Sequence, residues 1–154
     1  MSKLLLKPGH LIRRCQQIAV AIFIEECSAH GVTPVQYAIL EALREYGRLG
    51  QISLANAVAL DRSTVGELVS RLESRGWISR SPSAQDRRAK ELKLTRTGAR
   101  MLAQLEPLVE RAQRKILAPL SAGEREQFLT CLGKLAVSSN ELSRAPLRSV
   151  ARSA

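Results

Sequence analysis

Residues 52–80, ISLANAVALDRSTVGELVSRLESRGWISR, predict two short helices joined by a tight turn. Ser53 can cap the first helix, and either Asp61 or Ser63 can cap the second, because these side chains accept hydrogen bonds from free backbone N–H groups. Gly76 is then expected to stop the second helix. Two helices of this length joined in this way form a helix-turn-helix.

Two strands are predicted directly after these helices. Residues 91–95 carry Leu92 and Leu94 two positions apart, which is typical of a half-buried strand, and residues 77–80 are predicted as the strand that precedes the turn. The turn between them, residues 81–88, ends in a strongly basic stretch. A hairpin that follows a helix-turn-helix is a wing. The expected fold class is therefore mostly α with a small β-hairpin wing.

Apolar side chains recur at helical spacing on both sides of this segment. The N-terminal stripe consists of Leu11, Cys15, Ile18 and Ile22. The C-terminal seam consists of Leu102, Leu105, Val109, Ala112 and Ile116. Seams of this width are typical of helices that pair with other helices. A further helix is marked by Phe128, Leu132 and Leu135.

These patterns divide the chain into three parts. We expect dimerisation helices at residues 1–32 and 97–142, a winged helix-turn-helix lobe at residues 33–96, and a disordered tail at residues 143–154. Two capping boxes support the helix starts, because Ser or Thr followed three positions later by Glu or Gln satisfies backbone donors at both positions. They are Thr33 with Gln36, and Ser121 with Glu124.

The charge of the chain predicts a polyanionic partner. The formal net charge is +10 and the isoelectric point is near 10.4. Residues 48–100 hold 11 basic and 5 acidic side chains, so the surplus is concentrated in the predicted lobe. We expect nucleic acid rather than a membrane as the partner. On charge alone, a solvated basic face would fit equally well.

The remaining composition argues against several protein classes. Neither a secretory signal nor an apolar run of about 18 residues is evident, and so we expect a cytoplasmic, nucleoid-associated protein. Three cysteines without a CxxC pair favour reduced thiols. Two histidines make a metal site unexpected, and no cofactor is predicted. Nucleophile and phosphate-loop motifs are missing from the sequence, and so we do not expect an enzyme.

Three short motifs resemble the centre of a MarR-family transcriptional regulator. They are Arg71-Leu72-Glu73 followed by Gly76, Asp86-Arg87-Arg88, and Leu94-Thr95 followed by Gly98. The resemblance is specific over residues 33–105. It implies a homodimer that binds double-stranded DNA at a pseudo-palindromic operator, most often as a repressor. Many members release DNA when they bind a small phenolic or aromatic acid.

The predicted DNA contacts lie on the second helix and on the wing. Polar and charged side chains on the outer face of the helix suit a DNA major groove, where base edges carry a unique pattern of donors and acceptors. They are Arg62, Ser63, Thr64, Glu67, Ser70 and Arg71. On the wing, the resemblance implies that Arg88 enters the minor groove, and Arg87 and Lys90 are expected to contact phosphates. Asp86 is expected to hold an arginine, either Arg71 or Arg75, and so to position the wing.

The effector site is predicted on the first helix. An arginine could clamp a carboxylate and a histidine could donate to a ring oxygen, and the candidates are His10, Arg13 and Arg14. A small aromatic carboxylate or phenolic compound is the expected effector, by analogy with the family. One alternative is a cysteine-based redox sensor, although Cys15 lies on the apolar stripe and is expected to be buried and inert. Another is an architectural DNA-binding protein without an effector.

Overall fold

The computed structural model describes residues 3–83 and 89–150 of the chain. Six α-helices and three strands follow in the order α1 (Pro8–Glu26), α2 (Pro34–Tyr46), β1 (Leu49–Gly50), α3 (Gln51–Ala57), α4 (Arg62–Ser74), β2 (Ile78–Pro82), β3 (Lys90–Leu94), α5 (Arg96–Leu117) and α6 (Ala122–Ser138). Short 3-10 turns lie at Lys3–Leu6, Ser28–His30 and Asn140–Leu142. The mostly helical fold with a β-hairpin wing is confirmed.

Helices α3 and α4 form the predicted helix-turn-helix, with one change at the start of α3. That helix begins at Gln51 behind Gly50, not behind Ser53 as expected. The reason is the pairing of β1 with β3, which holds Leu49 opposite Leu92 and leaves the chain free to turn only after Gly50. Helix α4 begins behind Asp61, which is the first of the two predicted caps.

The wing is an antiparallel hairpin, as predicted, with a third strand that was not. Strand β2 pairs with β3 in a register that places Ile78 opposite Leu94, and β1 joins the other edge of β3. Both hairpin strands lie within one or two residues of the predicted ranges. Strand β1 has only two residues, which is too short for any alternating pattern in the sequence.

The hydrophobic core lies inside the lobe and continues along α5. Helix α4 contributes Val65, Val69 and Leu72, all of them fully buried. Most of the core side chains are aliphatic, because Phe23 and Trp77 are its only buried aromatic members among the described residues. Both capping boxes are present, at the starts of α2 and α6.

The seam on α5 packs within its own chain. Leu102, Leu105, Val109 and Ala112 are all buried in the single subunit. The sequence predicted that this seam packs against other helices, and it does. Those helices are α1 and α2 of the same chain. Ile116 is half-buried near the end of the helix.

The stripe on α1 behaves in the opposite way. Leu11, Cys15 and Ile18 are exposed, and the side chains that α1 and its C-cap bury in the core are Phe23 and Cys27. The expectation that Cys15 is buried is therefore wrong for the single chain. The physical reason is that the first half of α1 extends beyond the lobe core, so the stripe there has no covering layer within the subunit.

Helix α6 is exposed along its whole length. Its apolar side chains Phe128, Leu129, Leu132 and Leu135 are between 38% and 55% exposed. A stable amphipathic helix buries its apolar face against another layer. The lobe of the same chain does not provide that layer.

The segment after α6 folds back onto the lobe. Asn140 and Leu147 exchange two hydrogen bonds, of 3.0 and 2.8 Å, which close a loop. The backbone N–H of Arg148 then donates to the carbonyl of Asn56 at the end of α3, and Val150 packs against the core. Residues 143–150 thus differ from the disordered tail expected there. Residues 151–154 lie outside the described residues.

Helix length and hydropathy also bear on membrane insertion. A bilayer-spanning helix needs about 20 mostly apolar residues. Over residues 3–83 and 89–150, no helix meets both requirements of length and apolar character.

Candidate nucleic-acid interface

Helix α4 separates an apolar inner face from a polar outer face. Its inner side chains are in the core, while Arg62, Glu67, Ser70 and Arg71 are exposed. These four, together with the exposed Ser63, are among the side chains that the sequence predicts to contact DNA. A helix about 10 Å wide with polar side chains on one face fits the B-DNA major groove.

The N-terminus of α4 is organised by Asp61. Its carboxylate accepts hydrogen bonds from the Ser63 hydroxyl (2.6 Å), the Thr64 hydroxyl (2.6 Å) and the Thr64 backbone N–H (2.9 Å). These bonds hold the pKa of Asp61 well below its usual range. Because each hydroxyl has a single proton, Ser63 and Thr64 donate to Asp61 in this state and present only lone pairs outward. Their hydroxyl protons are therefore not available to a DNA acceptor while they are bonded to Asp61.

We expect Asp61→Ala to lower the melting temperature by about 2–4 °C at neutral pH, because α4 loses its cap. Since the pKa of Asp61 is lowered in the folded chain, its contribution is complete above the ordinary aspartate pKa and disappears as pH falls below it. The difference in melting temperature between the two proteins should therefore shrink below about pH 4. Calorimetry from pH 3 to pH 7 measures it. A difference that persists unchanged at pH 3 would contradict the capping role.

Gly66 lies where α4 approaches α3. A Cβ atom at this position would lie 3.1 Å from Nε2 of Gln51, whose amide is also 3.5 Å from the carbonyl of Arg62. The glycine therefore allows close packing between the two helices of the motif.

Arg75 does not have the partner predicted for it. Its guanidinium donates to the carbonyls of Gly31 (3.0 Å) and His30 (2.6 Å) and lies 3.7 Å from the centroid of the Trp77 ring. The predicted partner, Asp86, lies outside the described residues. The interaction with His30 and Gly31 spans more than 40 positions of the chain, so no local pattern could reveal it.

The described part of the wing adds further positive charge. Lys90 is exposed at the start of β3. Arg80 on β2 forms a 3.5 Å ion pair with Glu73 of α4, which joins the hairpin to that helix. Together with Gln51 and Ser53, the two basic residues line a cavity of about 440 Å³ between α3 and the hairpin. Arg87 and Arg88, the remaining predicted wing contacts, lie outside the described residues.

The three effector candidates lie on the exposed first half of α1. Nη2 of Arg13 is 3.5 Å from Nδ1 of His10, and Arg14 donates to the side chain of Gln17 at 3.0 Å. His10 and Arg13 thus form a pair, while Arg14 has a separate partner. Within one chain they do not line a described cavity together.

A second cavity, of about 420 Å³, lies between α1, α5 and α6. We call it the α1–α6 groove, and its main lining residues are Leu11, Cys15, Ile116, Phe128, Leu129 and Leu132. Among the described residues, no Lys, Arg, Asp or Glu lines it. The cavity therefore favours an apolar occupant.

An ion cluster joins α1 to α5, and no sequence pattern indicated it. Glu26, whose side chain is only 10% exposed, pairs with Arg111 at 3.0 Å and with Lys115. Hydrogen bonds from Lys115 and then Arg111 lower the pKa of Glu26. A second pair, Arg44 with Glu106, joins α2 to α5. Because the partners are more than 60 positions apart, only the folded chain brings them together.

Comparison with known proteins identifies the family. Residues 32–90 match the MarR family model. The chain is 35% identical over 127 residues to the HTH-type transcriptional repressor NicR of Pseudomonas putida, a match that covers 82% of this chain and 80% of NicR. The chain belongs to the MarR family. It is therefore a DNA-binding transcriptional regulator with a winged helix-turn-helix, and it shares its class with regulators rather than with enzymes.

Solved structures of other MarR-family proteins have the same fold. Bordetella bronchiseptica BpsR, whose DNA binding is regulated by 6-hydroxynicotinic acid, superposes with a TM-score of 0.80 at 30% identity, over 84% of this chain and 93% of BpsR. A MarR variant from Escherichia coli complexed with operator DNA superposes with a TM-score of 0.78 at 26% identity, over 82% of this chain and 91% of the variant. The resemblance drawn from three short motifs is thus confirmed over most of the chain.

Proposed function

We propose that this chain is a homodimeric repressor that binds a pseudo-palindromic operator and releases it on binding a small aromatic carboxylate. The observation that carries the proposal is the placement of α4, which exposes a polar and basic face beside a basic wing. The BpsR and NicR similarities support the same interpretation, because the first is regulated by an aromatic acid and the second is named a repressor.

The dimer is inferred from the apolar surface that the single chain leaves uncovered. The α1–α6 groove and the exposed apolar face of α6 are continuous with each other through Phe128, Leu129 and Leu132. Exposed apolar patches of this kind mark interaction sites. A second copy of the chain offers the same apolar helices, and two such surfaces related by a two-fold axis cover each other.

Operator recognition follows from this symmetry. Two copies of α4 related by a two-fold axis would enter successive major grooves, which predicts half-sites about 10 base pairs apart. Among the described residues, we expect the cations Arg62 and Arg71 on α4 and Lys90 on the wing to contact DNA. Glu67 could accept from a cytosine amino group, whereas it would repel a phosphate.

The effector site is assigned to the first half of α1. His10, Arg13 and Arg14 lie on the part of this helix that extends beyond the lobe core. In a dimer, we expect them at the edge of the interface. A carboxylate bound by Arg13 or Arg14 would be held by charge-assisted hydrogen bonds. The ligand would release the DNA if it favours a separation between the lobes of the two subunits that does not match the operator.

Fluorescence anisotropy on a labelled operator, selected from random DNA by repeated binding, tests the proposal. If each subunit neutralises about four phosphates, log Kd should change with log salt with a slope of magnitude near 7. Excess unrelated DNA should compete weakly. Equal competition by unrelated DNA would indicate the architectural alternative instead.

Release is tested in the same assay with 6-hydroxynicotinic acid, the compound that regulates BpsR, and with benzoic and para-hydroxybenzoic acids as related probes. An aromatic acid that binds should weaken the DNA complex by about 5-fold or more. Cyclohexanecarboxylic acid is the matched non-aromatic control. Arg13→Gln and Arg14→Gln should reduce the response to the acid but not the folding of the chain. Failure of all these acids to alter DNA binding would contradict this part of the proposal.

A redox mechanism is the second candidate, and one observation favours it. Cys15 is exposed in the single chain and lines the α1–α6 groove, whereas burial raises the pKa of the Cys27 thiol. Oxidation of Cys15 would place a polar group in an apolar contact. Cys15→Ser should abolish release by peroxide if this mechanism operates, and should leave release by an aromatic acid intact if it does not.

A further inference from the structure

The end of helix α4 is tied to the turn that follows α1. Arg75, directly after α4, donates one hydrogen bond to each of two consecutive carbonyls, those of His30 and Gly31. A planar guanidinium can donate two parallel bonds of this kind, whereas the ammonium of lysine cannot. The contact therefore joins α4, the recognition helix predicted to enter the major groove, to the turn that follows α1, the helix that carries the effector candidates.

The turn that accepts these bonds has a particular shape. Residues Ser28–His30 form a single 3-10 turn, and Gly31 ends it with φ +56°, a left-handed conformation that glycine adopts readily. Carbonyls at the end of a helical turn have no partner within the turn. Arg75 therefore satisfies two backbone acceptors that would otherwise need water or another donor.

Trp77 continues the same connection towards α5. The guanidinium of Arg75 lies 3.7 Å from the centroid of the Trp77 ring, which is buried. The Trp77 carbonyl accepts from the Thr95 backbone N–H at 3.0 Å, and the Thr95 hydroxyl donates to the Gly76 carbonyl at 2.7 Å. Thr95 is the N-cap of α5. A continuous set of contacts thus runs from the turn after α1, through Arg75 and Trp77, to the start of α5.

We propose that Arg75 is a positioning residue, which fixes the angle of α4 relative to α1 and α5 and so fixes the separation of the two recognition helices in the dimer. The inference rests on the proposed function, because only a dimer on an operator has such a separation. Arg75 itself is not expected to contact DNA. Two of its donors bind carbonyls and its guanidinium lies against Trp77, so these groups are already occupied in the folded chain.

The test uses three operators that differ only in the number of base pairs between the half-sites: the selected spacing, one pair more and one pair fewer. Each added pair moves a half-site by about 3.4 Å and rotates it by about 35°. The unaltered chain should prefer the selected spacing by about 10-fold or more, within the range of typical coupling energies. Arg75→Gln should bind the selected operator more weakly and should lose most of this preference. Its salt slope should be unchanged.

Arg75→Lys separates positioning from charge. It keeps the positive charge but cannot donate the paired bonds, and so we expect it to behave like Arg75→Gln in spacing preference. Arg71→Gln is the matched control from the same helix. It should weaken binding to all three operators by the same factor and lower the magnitude of the salt slope by about 1.8 for the dimer, if Arg71 contacts one phosphate per subunit.

Two outcomes would overturn the inference. A reduced salt slope for Arg75→Gln that Arg75→Lys restores would make Arg75 a phosphate contact. A lower melting temperature with an unchanged spacing preference would make its role merely structural. If the unaltered chain binds no selected operator, the proposed function itself fails. This outcome differs from the two above because it is seen without any variant.

Discussion

Gly98→Ala is expected to lower the free energy of unfolding by at least about 3 kcal/mol, the upper end of the usual cost of overpacking. A Cβ atom at Gly98 would lie 2.1 Å from the carbonyl oxygen of Trp77, far inside van der Waals contact. It would also lie 2.9 Å from Cδ1 of Leu94, but that side chain can turn away. The Trp77 backbone cannot shift so easily, because its carbonyl accepts a hydrogen bond from the backbone N–H of Thr95.

Urea unfolding measures this effect, and the fluorescence of Trp77, the single tryptophan of the chain, reports on the site itself. Gly123→Ala is the matched control, because no atom lies within 4 Å of the position that a Cβ would take on that helical glycine. The control should be neutral or more stable by up to about 1 kcal/mol, as helix propensity predicts. Equal urea midpoints for the two variants would show that the close approach at Gly98 costs nothing.

Leu132→Asp is expected to convert the proposed dimer into folded monomers. Leu132 lines the α1–α6 groove and is 42% exposed in the single chain, so its replacement should leave the lobe core intact. In a dimer, an aspartate there would be removed from water without a partner, which is strongly unfavourable. A monomer engages one half-site only, and operator affinity should fall by about 100-fold or more.

Thr130→Asp is the control for this change. Thr130 belongs to the face of α6 formed by Gly123, Glu126 and Gln127, roughly opposite Leu132 by helical geometry. The Thr130→Asp protein should remain dimeric and bind the operator as the unaltered chain does. Sedimentation velocity at micromolar concentration gives the mass, and anisotropy gives the affinity. A Leu132→Asp protein that stays dimeric would contradict the assignment of this groove to the second copy.

Local features of the fold were readable from the sequence. The α4 cap, predicted at Asp61 or Ser63, the capping boxes at Thr33 and Ser121, and the hairpin after α4 depend on residues a few positions apart. The structure confirms the boxes and the hairpin, and it selects Asp61 as the cap. The exposed polar face of α4 was predicted for the same reason, since helical periodicity places side chains on one side or the other. Within the helix-turn-helix, the start of α3 was misplaced, because the pairing of β1 with β3 determines where that helix begins.

The sequence did not predict which layer covers each apolar helix face. Periodicity shows that a helix has a face to bury, but two chains with the same pattern can bury it internally or against a partner. The seam on α5 is internal, while the stripe on α1, including Cys15, is uncovered in the single chain. Which half of α1 contributes side chains to the core depends on where the lobe core ends, and only the packed structure decides that.

The amino-acid sequence by itself determined the winged helix-turn-helix, the start of α4 and the exposed polar face of that helix, because these follow from hydrogen bonds and spacings within a few residues. Only the tertiary structure decided that Arg75 binds the His30 and Gly31 carbonyls and that Glu26 pairs with Arg111 and Lys115. Such contacts join positions 44 or more residues apart. Their energies depend on the geometry of the folded chain, and no local pattern encodes that geometry.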